Sequence, residues 1–419
     1  MARVSIIGAG TTGLVAAYAL LRDGHEVTLY SDRTADEWLE GRPTGTAYLY
    51  GETIDVEREL GMDHWSQDMF GGMGVLLDFK PELAGEAHMR VVGNWGSLGS
   101  GIDMRMRVHR WMNDLESRGG KLVIEAVTPE RTDEIAQNSD VTMLAAGKAD
   151  LGNLIPRDAV RSVYDKPQRN LAMVVVTGVT GWQKECGGFE PVKFNFFGDT
   201  GEYFWVPFTH KTHGATWCLL WEAKAGKAFD RFGECASGQD IVEISKELIK
   251  EHAPWEWENV KGMEYVTGDD FAWLIGRFPP TVREGFGRLP SGALIMPVGD
   301  TAIAFDPIGG QGGNNAQRMA KFVADRITAH EGKPFDAAWM KQVNDDWWYL
   351  HGKWAYEFNN LLLEPLEPAA AMLLEECAKN RLFADQKFFP NFPRPHNFFP
   401  AIVEPDAARE LIARANTRA

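Results

Sequence analysis

Arg3-Val4-Ser5-Ile6-Ile7-Gly8-Ala9-Gly10-Thr11-Thr12-Gly13 opens the chain as a short β-type run that breaks into Gly-x-Gly-x-x-Gly, and an apolar, helix-forming stretch follows as far as Asp23-Gly24. Each glycine has its own reason: Gly8 permits the tight turn, Gly10 lets the backbone approach a pyrophosphate, and Gly13 lets strand and helix pack closely. The helix N-terminus then faces the phosphates with free N–H groups and a favourable dipole. Val27 to Tyr30 reads as a second buried strand, so a βαβ unit closes within the first 32 residues. Asp32 follows the last glycine by about 20 residues, the spacing of an acidic contact to a ribose. The order predicts a dinucleotide-binding domain in which Gly8, Gly10, Thr12, Gly13 and Asp32 meet the ligand.

Working outward, Val4 to Leu21 carries three glycines and two threonines, which a signal or membrane segment would not. A helix from Arg107 to Arg118, a strand from Lys121 to Ala126 and a buried strand from Val141 to Ala146, ending at Gly147, extend the same sheet. Between Lys166 and Gly287 the character changes. Leu171 to Val179, Gly201 to Phe208 and Thr216 to Glu222 are β-rich and aromatic. Ala293 to Val298 is again a buried strand, leading into Gly299-Asp300 and a helix from Asn314 to Ala329 that docks back onto the first sheet. From Asp336 to Asn380 the chain is helical, with Trp339, Trp347, Trp348 and Trp354 spaced to cover other elements, and the tail after Phe388 is rich in Pro and Phe.

The first glycine motif does not separate NAD from FAD. The second glycine stretch decides it, because Asp306-Pro307-Ile308-Gly309-Gly310-Gln311-Gly312-Gly313-Asn314 puts a backbone-rich turn at the N-terminus of a late helix. Such a helix end stabilises negative charge at the N1–C2=O edge of a reduced flavin. The expected fold is therefore α/β: a Rossmann-like, FAD-type domain of residues 1–165 plus 288–330, an interleaved β-rich substrate domain of residues 166–287, and a C-terminal helical region of residues 331–419.

Composition limits the partners. A formal net charge of −16 over 419 residues disfavours nucleic acid and anionic membrane surfaces. Four scattered cysteines, without Cys-x-x-Cys, argue against a disulfide framework or a zinc site and fit a cytoplasmic protein. His210-x-x-His213 lacks ligand partners at metal spacing and reads as an exposed loop, so no metal is expected. Trp255-Glu256-Trp257 looks like the Trp-x-Trp of flavin-dependent halogenases, but the Ile-Pro that should follow is absent.

Beyond the glycine loops, Tyr30-Ser31-Asp32-Arg33, Asp103-Met104-Arg105, Ala146-Gly147-Lys148, Asp165-Lys166-Pro167-Gln168-Arg169 and Gly201-Glu202 are similar in order and spacing to the oxygenase subunits of styrene and indole monooxygenases. The resemblance implies an oxygenase that takes FADH2 from a separate NADH-dependent flavin reductase and reacts it with O2 to a C4a-hydroperoxyflavin. That species epoxidises an electron-rich aromatic C=C bond, and the cofactor carries the hard step. It implies cofactor contacts from Arg33, Arg105, Gly147, Asp300, Gly312, Gly313 and Asn314, and flavin positioning by Arg42, Thr46, Pro307, Gly309 and Gly310. Thr44, Gly45 and Ala47 fall beside the substrate, with Gly45 where the family has an asparagine, and Phe70 to Val75 offers no matching Tyr and His. The chemistry requires a dry, aromatic pocket, for which Phe204, Val206 and Phe208, alternating on one strand face, and Ile308 are the candidates. A homodimer is compatible with the Trp-rich helices. The rivals are a one-component NAD(P)H-dependent hydroxylase, against which the lack of an Asp-Gly pair after Gly147 speaks, and a redox-inactive binding module of the same fold.

Overall fold

The computed structural model describes residues 1–46, 48–146, 150–330 and 332–416. Its first layer is a six-stranded sheet in the order Gly287–Arg288, Leu294–Pro297, Val141–Leu144, Arg3–Ile7, Glu26–Ser31, Lys121–Ile124. The inner pairings are parallel, and only the edge pair Gly287–Arg288 with Leu294–Pro297 is antiparallel. Arg3–Ile7 lies between Glu26–Ser31 and Val141–Leu144, buried on both faces, which accounts for its unbroken apolar reading. The α/β fold expected from the two glycine loops is the fold found.

Two helices cover this sheet side by side, Thr11–Arg22 and Gly312–Ala329. Leu14, Leu20, Met319 and Val323 join one core with Val4, Ile6, Val27 and Met143. Each large apolar side chain fully buried there stabilises the fold by ~1.5–3 kcal/mol. Gly13 is what permits the contact: a Cβ on it would lie 1.9 Å from the Gly8 carbonyl oxygen. Gly8 itself has φ +112°, and its Cβ would fall 2.4 Å from Ala145 O.

The second layer is a nine-stranded sheet whose backbone order is Glu264–Tyr265, Asn170–Thr177, Gly214–Ala223, Gly201–His210, Pro191–Phe197, Gly72–Lys80, Met89–Ile102, Tyr48–Leu49, with Trp273–Gly276 also paired to Asn170–Thr177. The three strands expected in the middle of the chain are here; the first starts one residue earlier and ends two earlier than expected, and the other two are longer by two or three residues. Gly72–Lys80 and Met89–Ile102 join them although the sequence reading placed residues 72–102 with the first domain. The helix over 107–118 begins earlier, at Met104, because the Asp103 carboxylate accepts from Arg105 N and starts it there.

The C-terminal region is helical as expected, with Ala337–Trp347, Lys353–Leu363 and Pro368–Lys379. The Phe-rich tail is not loose: Phe383, Phe388, Phe389, Phe392 and Phe398 are buried in a core shared with Tyr48, Trp95 and Phe194 of the large sheet. A last helix, Pro405–Asn416, falls within the expected helical region, though the sequence reading did not single it out. Among the described residues no helix is long and apolar enough to cross a membrane.

Candidate active site

Both glycine loops open on one cavity of about 610 Å³ between the two sheets. Thr11 and Thr12 reach it from one helix start, and Gly312 and Gly313 from the other. Neither helix has a side-chain cap: Gly10 and Gln311 stand at the cap positions with no side-chain hydrogen bond to the first turn. Two sets of first-turn N–H groups and two positive dipole ends therefore face the same space, an arrangement built for a bound anion.

The cradle fits a dinucleotide. At Gly10 an added Cβ would meet nothing within 4 Å, so the backbone there borders open volume, whereas at Gly8 and Gly13 it would strike the protein. Gln317, also lining the cavity, is 2% exposed, and its Oε1 has no hydrogen-bond partner among the described residues. An orphaned buried acceptor of this kind calls for a ligand donor, such as a ribityl hydroxyl. Beside it the Arg107 guanidinium lines the cavity, held by Ile102 O at 3.1 Å and by Glu57, whose Oε1 lies 3.1 Å from Nε. Burial raises the Glu57 carboxyl above its usual range, with Arg107 and Gln317 pulling the other way. Arg107 and Gln317 were missed in the sequence. The available signal was helical spacing, since Gln317 follows Asn314 by one turn.

The turn Pro307–Gly309 and its neighbours form the third wall. Pro307, Ile308 and Gly310 line the cavity with Asp300, while Gly309 gives its N–H to Asn359 Oδ1 at 3.0 Å. Asn314 does not line it. Its Oδ1 accepts from Tyr50 N at 2.9 Å and Thr53 Oγ1 at 2.8 Å, and its Nδ2 donates to Tyr48 O and Gly310 O, both at 2.8 Å. The side chain expected on the cofactor is consumed in fixing the loop.

Opposite this wall the large sheet supplies an apolar floor. Phe204, Val206 and Phe208 line it as their alternation predicts, and the register adds Leu220 opposite Phe204, Cys218 opposite Val206, and Met173 opposite Leu220. One end is an aromatic box: Tyr48, Tyr50 and Trp95 lie 5.4 to 5.8 Å apart between ring centroids, and Phe194 meets Phe204 edge-on at 4.9 Å. Burial raises the Tyr48 and Tyr50 phenols, and it pushes the Cys218 thiol up to about 12, so all three stay neutral at pH 7. No His, Glu or Lys is among the described lining residues.

Thr44, Gly45 and Thr46 also line the cavity, with Thr46 Oγ1 3.9 Å from Cys218 Sγ. Ala47 and Gly147 lie outside the described residues. Arg42 does not reach the cavity wall: it donates to Trp273 O at 2.8 Å and stacks on the Trp273 ring at 4.3 Å. Asp32 and Arg33 stand at the end of Glu26–Ser31, joined to each other at 3.2 Å, with Arg33 stacked on Trp38 at 4.2 Å. Arg105 is brought to a different place. It is 1% exposed, and its guanidinium is taken up by Asp103 at 2.7 Å and Asp269 at 2.6 Å. His210 completes that cluster, with Nε2 2.9 Å from Asp269, and is buried, not in an exposed loop as its spacing with His213 had implied. Trp255-Glu256-Trp257 stands away from the cavity; Glu256 is fully buried and accepts from Lys193, Asn195, Tyr203 and Trp205.

The fold and this cavity define a FAD-dependent monooxygenase. Residues 147–259 match the model of the styrene monooxygenase A putative substrate binding domain, and residues 6–35 match an NAD(P)-binding Rossmann-like domain. The chain is 26% identical over 411 residues to styrene monooxygenase StyA of Pseudomonas fluorescens, covering 96% of each chain, and equally so to the protein of that name from a Pseudomonas sp. In fold it is similar to the flavin-dependent brominase Bmp2, with a TM-score of 0.68 at 13% identity over the whole of both chains. It is also similar to a flavoprotein/dehydrogenase from Cytophaga hutchinsonii, with a TM-score of 0.66 at 13% identity over 99% of both. Over nearly its whole length the chain is therefore similar to the styrene monooxygenase oxygenases.

Proposed function

We propose that this chain is the oxygenase component of a two-component flavin monooxygenase, taking reduced FAD from a separate NADH-dependent flavin reductase and epoxidising a styrene- or indole-like C=C bond with O2. One observation carries the reading: two uncapped helix N-termini and an apolar, aromatic floor share a single cavity whose described wall holds no His, Glu or Lys and a single carboxylate, Asp300. A site that binds anions at one end and excludes water at the other, with an apolar floor free of charged side chains, leaves the chemistry to a cofactor. Activation of O2 and transfer of one oxygen atom are supplied by the bound reduced flavin, the second oxygen leaving as water.

The protein's part is to hold and to exclude. Thr11, Thr12 and the backbone at Gly10 take the pyrophosphate, with Arg107 and Gln317 beside the ribityl chain. Gly312 and Gly313 offer N–H groups to the negative edge of the reduced ring. Phe204, Val206, Phe208, Leu220 and the Tyr48–Tyr50–Trp95 box orient an aromatic substrate and keep water away.

The test is to mix the protein and chemically reduced FAD with O2 in the presence of styrene or indole and to analyse the product. Epoxide formation without any nicotinamide supports the proposal. Tightly bound oxidised FAD with unaided NAD(P)H consumption would establish the one-component hydroxylase instead. Release of all reducing equivalents as hydrogen peroxide, whatever the substrate, would favour the binding module.

A further inference from the structure

Behind the Pro307–Gly309 turn four charged side chains are buried together: Arg169 is 4% exposed, Glu202 3%, Asp306 2% and Glu222 0%. Topology forces the meeting. Glu202 and Glu222 are direct partners in the antiparallel register, on the face that carries Phe204 and Leu220 into the cavity. Side chains so placed stand about 5 Å apart, and like charges there repel. Arg169 arrives from the adjoining strand end and donates Nε to Glu202 at 2.5 Å; its other nitrogens go to Leu363 O at 3.2 Å and Gln168 O at 3.1 Å. Glu222 is left facing Asp306, and no other hydrogen-bond partner reaches either Glu222 oxygen among the described residues. Asp306 in turn caps the turn, accepting from Ile308 N at 3.3 Å, while its carbonyl accepts from Asn359 at 3.0 Å. Three buried carboxyls served by one guanidinium cannot all be ionised.

We propose that Glu222 and Asp306 share one proton, with Glu222 as donor, and that this bond positions the Pro307–Gly310 turn against the sheet, setting the depth at which the flavin ring is held. The inference rests on reading the cavity as a flavin site. Burial, then the charges of Asp306 and Glu202, raise the Glu222 carboxyl well above its usual range. Burial raises Glu202 as well, to about 7, but there Arg169 is in contact and opposes it, so Glu222 is the member that keeps the proton. The other charged groups around the cluster are Lys224, whose Nζ donates to Gly198 O at 2.6 Å, with Asp199 and Glu364 beyond it. As pH rises and the shared proton leaves, two carboxylates face each other and the turn loses its restraint.

The test uses the full chain as wild type, E222Q and E222L. FAD affinity is read by flavin fluorescence from about pH 6 to about pH 10, and the infrared spectrum of the apoprotein is recorded in the carboxylic-acid C=O region. The wild type should show a protonated-carboxyl band at neutral pH that E222Q lacks. E222L, which has no donor, should bind FAD about tenfold more weakly with unchanged circular dichroism. E222Q keeps a donor, so it should recover most of that loss and escape the alkaline weakening of the wild type. Identical infrared spectra for wild type and E222Q, or parallel alkaline weakening of the two, would overturn the proposal. A band lost in E222Q in a protein that binds no FAD at any pH would overturn the positioning role and the flavin reading together, and leave the shared proton standing.

Discussion

Asn314 and Tyr50 are joined at 2.9 Å, side-chain oxygen to backbone N–H, and this bond ties the second glycine loop to the segment just after the Tyr48–Leu49 strand that closes the aromatic box. Asn314 makes four hydrogen bonds, the full complement of its amide, while 2% exposed. Asn314→Leu strands the Tyr50 N–H and the Tyr48 and Gly310 carbonyls, each at a cost of ~1–3 kcal/mol where buried. The expected outcome is a melting temperature lower by roughly 5–10 °C and FAD binding weaker by at least about tenfold. A stability loss without any change in affinity would mean that the loop holds its shape unaided.

Gly10 and Gly13 should separate binding from folding. Gly10 has φ −71° and ψ 179°, backbone that alanine adopts, and open space where a Cβ would go. Gly10→Ala should therefore leave the apoprotein melting temperature within about 2 °C of wild type, and weaken FAD by about tenfold or more, because the methyl group occupies the pyrophosphate's approach. Gly13→Ala drives a Cβ to 1.9 Å from Gly8 O and should unfold the apoprotein at lower temperature. Equal FAD affinity in wild type and Gly10→Ala would remove the pyrophosphate from this loop.

Why these glycines were legible and other site residues were not follows from the range of the contacts. Gly13 answers to Gly8 and Ile6 within its own βαβ unit, and Gly8, though its nearest neighbour is Ala145 at the end of the adjoining strand, belongs to the same local motif, so spacing reveals both. Met89–Ile102 answers to the far end of the chain: a Cβ on Gly93 would lie 1.8 Å from Phe389 Cδ2. Gly93 makes room for Phe389, and the strand's glycines together erase the β-propensity that would have announced it. Trp95, and with it one side of the aromatic box, was lost for that reason. Arg105 shows the opposite failure: a motif position matched by resemblance, whose guanidinium Asp269 claims from 164 residues away. Two residues along the same helix, Arg107 does reach the cavity.

Substrate size should be set by the floor of the cavity. Val206 lines it between Phe204 and Phe208, opposite Cys218. Val206→Phe adds a ring to a face shared with the substrate and not with the pyrophosphate end. Steady-state assays with supplied reduced FAD should show the KM for styrene rising about tenfold, with FAD affinity held. A variant with a weakened flavin and an unchanged KM would place the ring, not the alkene, against Val206.

Acid should loosen the large sheet first, through Asp78. This carboxylate is fully buried and bonded to Lys193 at 2.8 Å, Arg90 at 2.8 Å and His88 at 2.7 Å. Burial works against its ionisation, but Lys193 and Arg90 outweigh burial and hold it well below the usual carboxylate range. A carboxyl with a depressed folded pKa contributes its full stability above the unfolded value, near pH 4, and loses it as pH falls toward the folded value. Melting curves from about pH 7 to about pH 3 should fall steeply below about pH 4 in the wild type. Asp78→Asn removes one of the two carboxylates paired with Lys193, leaving Glu256, so it should start roughly 3–5 kcal/mol lower at pH 7 and fall less steeply. An acid slope identical to wild type would mean that the pairs around Asp78 do not govern the acid limb, and would shift attention to Asp269, which hydrogen bonds from His210 and Arg105 hold low against its burial.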